Sequence, residues 1–200
     1  MNFEEKTMKS EKIYEGKIIN LRIDTVELPD KKYSKREIVE HPGSVGIIPV
    51  TNDNSIILVK QFRKPVEKNL LEIPAGKIEI NEEPRETALR ELQEETGYSS
   101  DELEYLFEFY TSPGFSDEKM YLFIATGLSK GEAKPENDEY IETAEIKIED
   151  LVDMIYKGEI NDSKTIVSIF YAEKYINQKR WDSDNILHKG ILFYIGLVSC

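Results

Sequence analysis

Residues 76–98 read GKIEINEEPRETALRELQEETGY. From Pro84 to Thr96 no turn residue intervenes, and the apolar side chains recur at the spacing of one helical face. Pro84 suits the first position of a helix, and Gly97 suits the residue that follows its last turn. The stretch therefore predicts a loop followed by a single helix.

The segments on either side of this helix have the character of strands, since apolar residues alternate or cluster in short runs between turn residues. The predicted strands cover residues 17–26, 36–40, 45–50, 55–59, 103–110 and 120–125, and C-terminal helices are predicted at 151–156 and 164–177. The runs 45–50 and 55–59 flank an Asn-Asp-Asn turn and predict a hairpin in a buried sheet. This order predicts the α+β class, with a mixed sheet packed against helices.

Composition limits the classes of function. The chain has 200 residues and a formal charge of -13, which predicts one domain and argues against general nucleic-acid binding. The one cysteine, Cys200, excludes an intramolecular disulfide and suits a reducing compartment. The longest apolar run, residues 191–198, is too short for a membrane span, and no secretory signal is expected. These features favour a soluble cytoplasmic protein.

The predicted helix concentrates negative charge, because Glu91, Glu94 and Glu95 fall within one sector of it. The three carboxylates repel one another and lie in the last turn, where the helix dipole disfavours anions. Arg90 is expected to pair with Glu86 and Glu94, which leaves the other two acids without a local partner. A solvated acidic face is one interpretation, and the ligand set of a divalent cation is the other.

The spacing within residues 76–98 resembles the signature of the Nudix hydrolases. Gly76 is followed after five residues by Glu82, and after seven more by the run of residues 90–98. Every fixed position is met, although Tyr98 stands where an aliphatic residue is more usual. The resemblance implies an α/β/α sandwich around a mixed sheet, and Mg²⁺- or Mn²⁺-dependent hydrolysis of a nucleoside diphosphate linked to another moiety.

The same resemblance implies roles for individual residues. Glu91 and Glu95 match the main metal ligands, and Glu94 matches an auxiliary ligand or orienting acid. The backbone carbonyl of Ala75 or Gly76 would complete the coordination.

A second motif is similar to the ADP-ribose pyrophosphatase subgroup of this family. Pro113 stands sixteen positions after Gly97, in a Ser-Pro-Gly setting that is followed by Glu118. The resemblance runs from about residue 12 to residue 175 and implies that both residues contact the substrate. A plain Pro-Gly turn is the alternative.

Arginine and aromatic residues are the candidates for substrate contacts. Arg63 is the candidate phosphate clamp, because a guanidinium binds phosphate oxygens in a bidentate manner. Arg36 is a candidate near the adenosine end. For each arginine, a surface salt bridge is the alternative. The candidates for stacking on adenine are Tyr14, Tyr33 and Phe62.

The acid-rich run of residues 132–150 is similar to the loop that delivers a glutamate to the metals in this subgroup. Alignment on Ile146 and Leu151 places Glu139 at that position, as a metal ligand or general base, with Glu136 as second choice. The general base therefore stays open among Glu139, Glu136, Glu94 and bulk hydroxide.

These features together predict an N-terminal β arm at residues 1–42, a Nudix hydrolase domain at 43–178 and a tail of unknown role at 179–200. The resemblance implies a homodimer that hydrolyses ADP-ribose to AMP and ribose 5-phosphate. The alternatives are another nucleoside diphosphate derivative such as NADH, FAD or coenzyme A, and a non-catalytic module that senses ADP-ribose.

Overall fold

The computed structural model of the chain describes residues 3–134 and 140–178, which form ten strands and three helices. The strands are β1 (Lys6–Glu15), β2 (Asn20–Glu27), β3 (Tyr33–Glu40), β4 (Ser44–Pro49), β5 (Ser55–Arg63), β6 (Lys68–Glu72), β7 (Ala75–Lys77), β8 (Tyr98–Tyr110), β9 (Lys119–Lys130) and β10 (Glu142–Lys147). The helices are α1 (Pro84–Thr96), α2 (Ile148–Tyr156) and α3 (residues 163–178).

The strands form three sheets. The first is the antiparallel arm β1-β2-β3, and the second is the antiparallel sheet β10-β5-β6. The third has the order β7-β4-β9-β8 and is mixed, because β4 and β9 run parallel while the outer pairs are antiparallel. The two sheets of the main body provide the surfaces on which the helices pack.

Strand β4 separates two apolar cores, since successive side chains of a strand point to opposite faces. Val45 and Ile47 pack with Ala88 and Leu92 of α1. Ile48 belongs to the second core, which also contains side chains of α2 and α3. Helices therefore cover both sides of the sheet region, and the predicted α+β class with a mixed sheet is confirmed.

The predicted hairpin of residues 45–50 and 55–59 is wrong. Both runs are strands, but β4 pairs with β7 and β9 while β5 pairs with β6 and β10. One isolated bridge, Val50 to Ile56, joins the two segments near the turn. Strand β4 and the first five residues of β5 are buried, so their apolar residues fit a partner on either side and do not specify the neighbour in sequence.

The arm is joined to the main body by backbone hydrogen bonds. The Val39 N–H donates to the Phe115 carbonyl at 2.8 Å, and the Asp117 N–H donates to the Val39 carbonyl at 3.2 Å. These bonds hold the Pro113-containing loop beside the end of β3. Within the described ranges, no helix has both the length and the apolar character that a membrane crossing requires.

Candidate active site

Helix α1 has the predicted bounds, Pro84–Thr96, and the local signals that set them are visible in its caps. Glu83 and Glu86 form a capping box at the N-terminus. Gly97 adopts the left-handed conformation with φ 77° and donates its N–H to the Gln93 carbonyl at 2.8 Å. These caps set both ends of the helix and therefore determine which residues form its last turn, where the carboxylates lie.

Two glutamates of this turn are in contact with strand β7. Glu95 is 3% exposed, and its Oε2 accepts a hydrogen bond from the Ala75 N–H at 3.0 Å. A Cβ built on Gly76 would overlap the carboxylate carbon and Oε1 of Glu91. A side chain at position 76 would therefore displace the Glu91 carboxylate from its place beside β7.

Arg90 forms hydrogen-bonded ion pairs with three glutamates. Its Nη1 donates to Glu91 at 2.7 Å and to Glu94 at 2.8 Å, while Nε and Nη2 donate to Glu82 at 2.9 and 3.0 Å. The expected pairing with Glu86 is wrong, since that side chain is engaged in the capping box. The expectation that Glu91 and Glu95 lack a partner is also wrong. The hydrogen bonds to Glu82 are the main reason why the pKa of Arg90 is raised.

The donor set around β7 fits a divalent cation in its chemistry. Glu91 and Glu95 bring carboxylates to the backbone of Ala75 and Gly76, and oxygen donors of this kind are those that Mg²⁺ prefers. Within residues 3–134 and 140–178, no group of three or more acidic, histidine or cysteine side chains is placed so that it could hold a metal ion.

A cavity of about 410 Å³ opens beside this strand and includes two of the predicted substrate residues, Arg63 and Glu118, together with Ala75. Arg63 donates from Nε and Nη2 to the two oxygens of Glu72, each at 2.8 Å. This pair raises the pKa of Arg63. Glu72 was not predicted as a site residue, although a lone carboxylate in the apolar run of residues 70–75 was a usable signal.

Glu118 also lines the cavity and is held by hydroxyl groups. Its Oε1 accepts a hydrogen bond from Ser44 at 2.8 Å, and its Oε2 accepts one from Thr111 at 2.7 Å. Nδ1 of His41 is 4.0 Å from Oε1. The carboxylate is therefore fixed in orientation at the cavity wall.

The other two predicted substrate residues, Arg36 and Pro113, line a different cavity of about 760 Å³ between the arm and the 113–117 loop. Arg36 donates to both carboxylate oxygens of Glu5, from Nε at 2.8 Å and from Nη2 at 2.5 Å. The structure thus separates the predicted residues into two groups. Glu136 and Glu139, and the tail of residues 179–200, lie outside the described residues.

The chain is similar to characterised proteins along most of its length. The chain is 50% identical to the ADP-ribose pyrophosphatase of Bacillus subtilis over 174 residues, covering 86% of this chain and 94% of the relative. It is also 50% identical to the methanol dehydrogenase activator of Bacillus methanolicus over 173 residues, with the same coverage. A GDP-mannose pyrophosphatase of Yersinia enterocolitica is 34% identical, over 69% of this chain and 77% of the relative.

A solved structure and two family models are similar to the chain as well. A crystal structure of an ADP compounds hydrolase has a TM-score of 0.79 at 18% identity and covers 90% of this chain and 98% of that chain. Residues 5–39 match the model of the nucleoside diphosphate sugar hydrolase N-terminal domain, and residues 40–168 match that of the NUDIX domain. The chain therefore belongs to the Nudix hydrolase family.

Proposed function

We propose that the protein hydrolyses the pyrophosphate bond of ADP-ribose to AMP and ribose 5-phosphate. The observation that carries this proposal is the convergence of the Glu91 and Glu95 carboxylates on the Ala75–Gly76 backbone, beside a cavity that Arg63 lines. An anionic diphosphate needs cationic partners at this place. The 50% identity to an ADP-ribose pyrophosphatase supports the choice of substrate.

Nudix hydrolases generally use divalent metal cations, and we propose Mg²⁺ here, with Mn²⁺ as a substitute. Glu91, Glu95 and the backbone carbonyl of Ala75 would hold it. A cation at this place would supply charge neutralisation of the diphosphate and a water of lowered pKa. Arg90 keeps Glu91 and Glu94 close to this place, so the ligand carboxylates are gathered before the substrate arrives.

Proton transfer from the attacking water is assigned to a glutamate. Glu139 is our first choice as the general base or as a further metal ligand, with Glu136 second and Glu94 third. Glu94 is already oriented by Arg90 at 2.8 Å. A positioned carboxylate contributes about 10²–10⁴-fold to such a step.

Substrate binding is divided between the two cavities. In the smaller cavity, Arg63 would contact the phosphates, and Glu118 would accept hydrogen bonds from sugar hydroxyls. In the larger cavity, Arg36 and Pro113 would contact the adenosine end, with Glu5 displaced from the guanidinium. This division assigns the diphosphate to the smaller cavity and the adenosine to the larger one.

We also propose a cytoplasmic homodimer in which the arm of one protomer contributes to the site of its partner. Strand β1 is an edge strand and exposes apolar side chains, including Met8 and Ile13. Light scattering is expected to give the mass of a dimer. Deletion of residues 1–40 is expected to weaken both dimerisation and substrate binding. A monomeric parent protein would contradict the shared site.

A second candidate substrate is another nucleoside diphosphate sugar, which the 34% identity to a GDP-mannose pyrophosphatase favours. A purely sensing module is disfavoured, because it has no use for three neighbouring carboxylates that repel one another. The compound that the protein hydrolyses therefore distinguishes ADP-ribose from the other candidate substrates, and any hydrolysis at all argues against a sensing module.

The direct test of the proposed function is product analysis. ADP-ribose is incubated with the protein and Mg²⁺, and the products are separated by ion-exchange chromatography. AMP and ribose 5-phosphate are expected in equal amounts, with no reaction when a chelator is present. Formation of ADP and free ribose, or no product at all, would reject the proposal.

A further inference from the structure

Glu72 is a buried carboxylate that two cations share. Its side chain is 1% exposed, and it is contacted by both Arg63 and Lys164. Burial alone acts to raise the pKa of Glu72, but the hydrogen bond from Arg63 and the charge of Lys164 outweigh it and lower that pKa. The carboxylate is therefore ionised, and its orientation depends on both partners.

Lys164 belongs to the first turn of α3 and connects Glu72 to a second acid. Its ammonium group contacts Oε2 of Glu72 and lies 3.1 Å from Asp162, and the side chain is 12% exposed. Lys164, Asp162 and Arg63 all line the smaller cavity. The four charges therefore form one network at the wall of the proposed diphosphate site.

Asp162 is anchored independently of Lys164. Its Oδ2 accepts hydrogen bonds from the Thr165 N–H at 3.0 Å and from the Thr165 hydroxyl at 2.6 Å. The negative charge of Asp162 also acts on Arg63 and favours its charged form. An Asp162 freed from Lys164 would therefore compete with Glu72 for the Arg63 guanidinium.

The orientation of Arg63 leaves one side of its guanidinium for a ligand. Nε and Nη2 are directed to Glu72, which leaves Nη1 as the guanidinium nitrogen that takes no part in this pair. The pair with Glu72 thus determines where Nη1 is presented in the cavity. A change in the Glu72 environment changes that presentation, because a bidentate pair fixes the plane of the guanidinium.

We propose that Lys164 is a positioning residue for Arg63, which it controls by holding Glu72 and by neutralising Asp162. It thereby sets the affinity of the site for the diphosphate of the substrate. This inference rests on the proposed function, since it takes Arg63 to contact the phosphates.

The test compares kinetic constants for ADP-ribose in Lys164→Gln, Lys164→Arg and the matched control Lys174→Gln, whose lysine is exposed on the same helix. Lys164→Gln is expected to raise KM on the order of tenfold and to change kcat less than about twofold, in line with the coupling of neighbouring charged residues. Lys164→Arg is expected to restore KM to within about threefold of the parent. Lys174→Gln is expected to have no effect.

Two further variants separate positioning from a merely structural role. In the Arg63→Gln background, Lys164→Gln is expected to add nothing further to KM. The double variant Asp162→Asn with Lys164→Gln removes the competing charge together with its partner and is expected to recover most of the affinity. The Asp162→Asn change is expected to keep the helix cap, because Asn caps a helix as well as Asp does.

A spectroscopic measurement keeps this inference separate from the proposed substrate. The Arg63 Nε–H signal in a ¹H–¹⁵N spectrum is expected to be protected in the parent protein and to lose that protection in Lys164→Gln. A parent protein that does not hydrolyse ADP-ribose would reject the proposed function, while this signal would still decide the positioning role. An unchanged Nε–H signal, or an equal KM increase with and without Arg63, would overturn the inference.

Discussion

Gly76 and Glu91 approach so closely that no side chain fits between them: a Cβ on residue 76 would overlap the Glu91 carboxylate. Strand β7 and helix α1 follow one another in the chain, and this contact sets the Glu91 carboxylate against the strand. The Ala75 N–H of the same strand donates to Glu95, so both helix carboxylates lie against the β7 backbone. The proposed metal site depends on this arrangement.

Gly76→Ala is therefore expected to displace Glu91 and to lower turnover by about 10²-fold, the size of effect that a misplacement of about 1 Å causes. Steady-state kinetics with Mg²⁺ would measure this change. Gly114→Ala adds the same methyl group where nothing lies within 4 Å, and its melting temperature controls for the methyl group itself. Unchanged turnover in Gly76→Ala would mean that Glu91 is not a ligand.

Glu95→Gln tests the buried member of the carboxylate group. The amide oxygen can still accept the hydrogen bond from the Ala75 N–H, so the fold is expected to stay intact or to become slightly more stable as one repelling charge is lost. Metal-dependent turnover is expected to fall by more than about 100-fold, beyond what loss of an outer-shell partner costs. Glu159→Gln, at an exposed position, is the matched control for charge removal. Parental activity in Glu95→Gln would mean that Glu95 is not a metal ligand and that the metal site is elsewhere.

Acid sensitivity is expected from Glu82, because its hydrogen bonds with Arg90 lower the pKa of this carboxyl from 4.5 to about 2. A carboxyl with a lowered pKa in the folded state stabilises the protein above the unfolded pKa. This stabilisation is lost as the pH falls from about 5 towards 2. Thermal melts should show Glu82→Gln less stable than the parent at pH 7, with a difference that shrinks towards pH 2. A difference that is independent of pH would contradict this assignment.

The elements predicted best are those with local signals at their ends. Helix α1 has the predicted bounds because Pro84 stands at its first position and Gly97 ends its last turn, and both effects are local. The family resemblance was also carried by one contiguous stretch of 23 residues, and it is confirmed by the match of residues 40–168 to the NUDIX domain. Both depend on information that is adjacent in sequence.

The elements predicted worst depend on distant partners. Strand β1 was not predicted, because all ten of its residues are exposed and no alternation marks a buried face. The pairing of β4 was wrong, since its parallel partner β9 follows about 70 residues later. Local patterns carry no information about such pairings, because a buried strand is apolar on both faces.

The site shows the same division. The sequence indicates which arginines are candidates for the site, but it does not indicate which carboxylates they pair with. Arg63 pairs with Glu72, nine residues away, and Arg36 pairs with Glu5, 31 residues away. Partners of this kind are set by the approach of strands and loops in the folded chain. The roles of these residues in substrate binding stay predictions.

The choice of general base can be tested by a matched pair of variants. Glu139→Gln is expected to lower turnover by about 10²–10⁴-fold with little change in substrate affinity, while Glu136→Gln is expected to be nearly silent. Turnover and KM for ADP-ribose would be measured for both. Exchanged phenotypes would mean that the alignment of this segment is displaced by three residues. Two active variants would leave the α1 carboxylates to carry the chemistry alone.

The most direct measurement of the central claim is a hydrolysis panel with Mg²⁺, in which kcat/KM is determined for ADP-ribose, ADP-glucose, GDP-mannose, NADH, FAD and coenzyme A. A preference for ADP-ribose of at least about tenfold over every other compound, or ~1.4 kcal/mol, is expected. A smaller preference, or a higher kcat/KM for another compound, would contradict the assignment as an ADP-ribose pyrophosphatase.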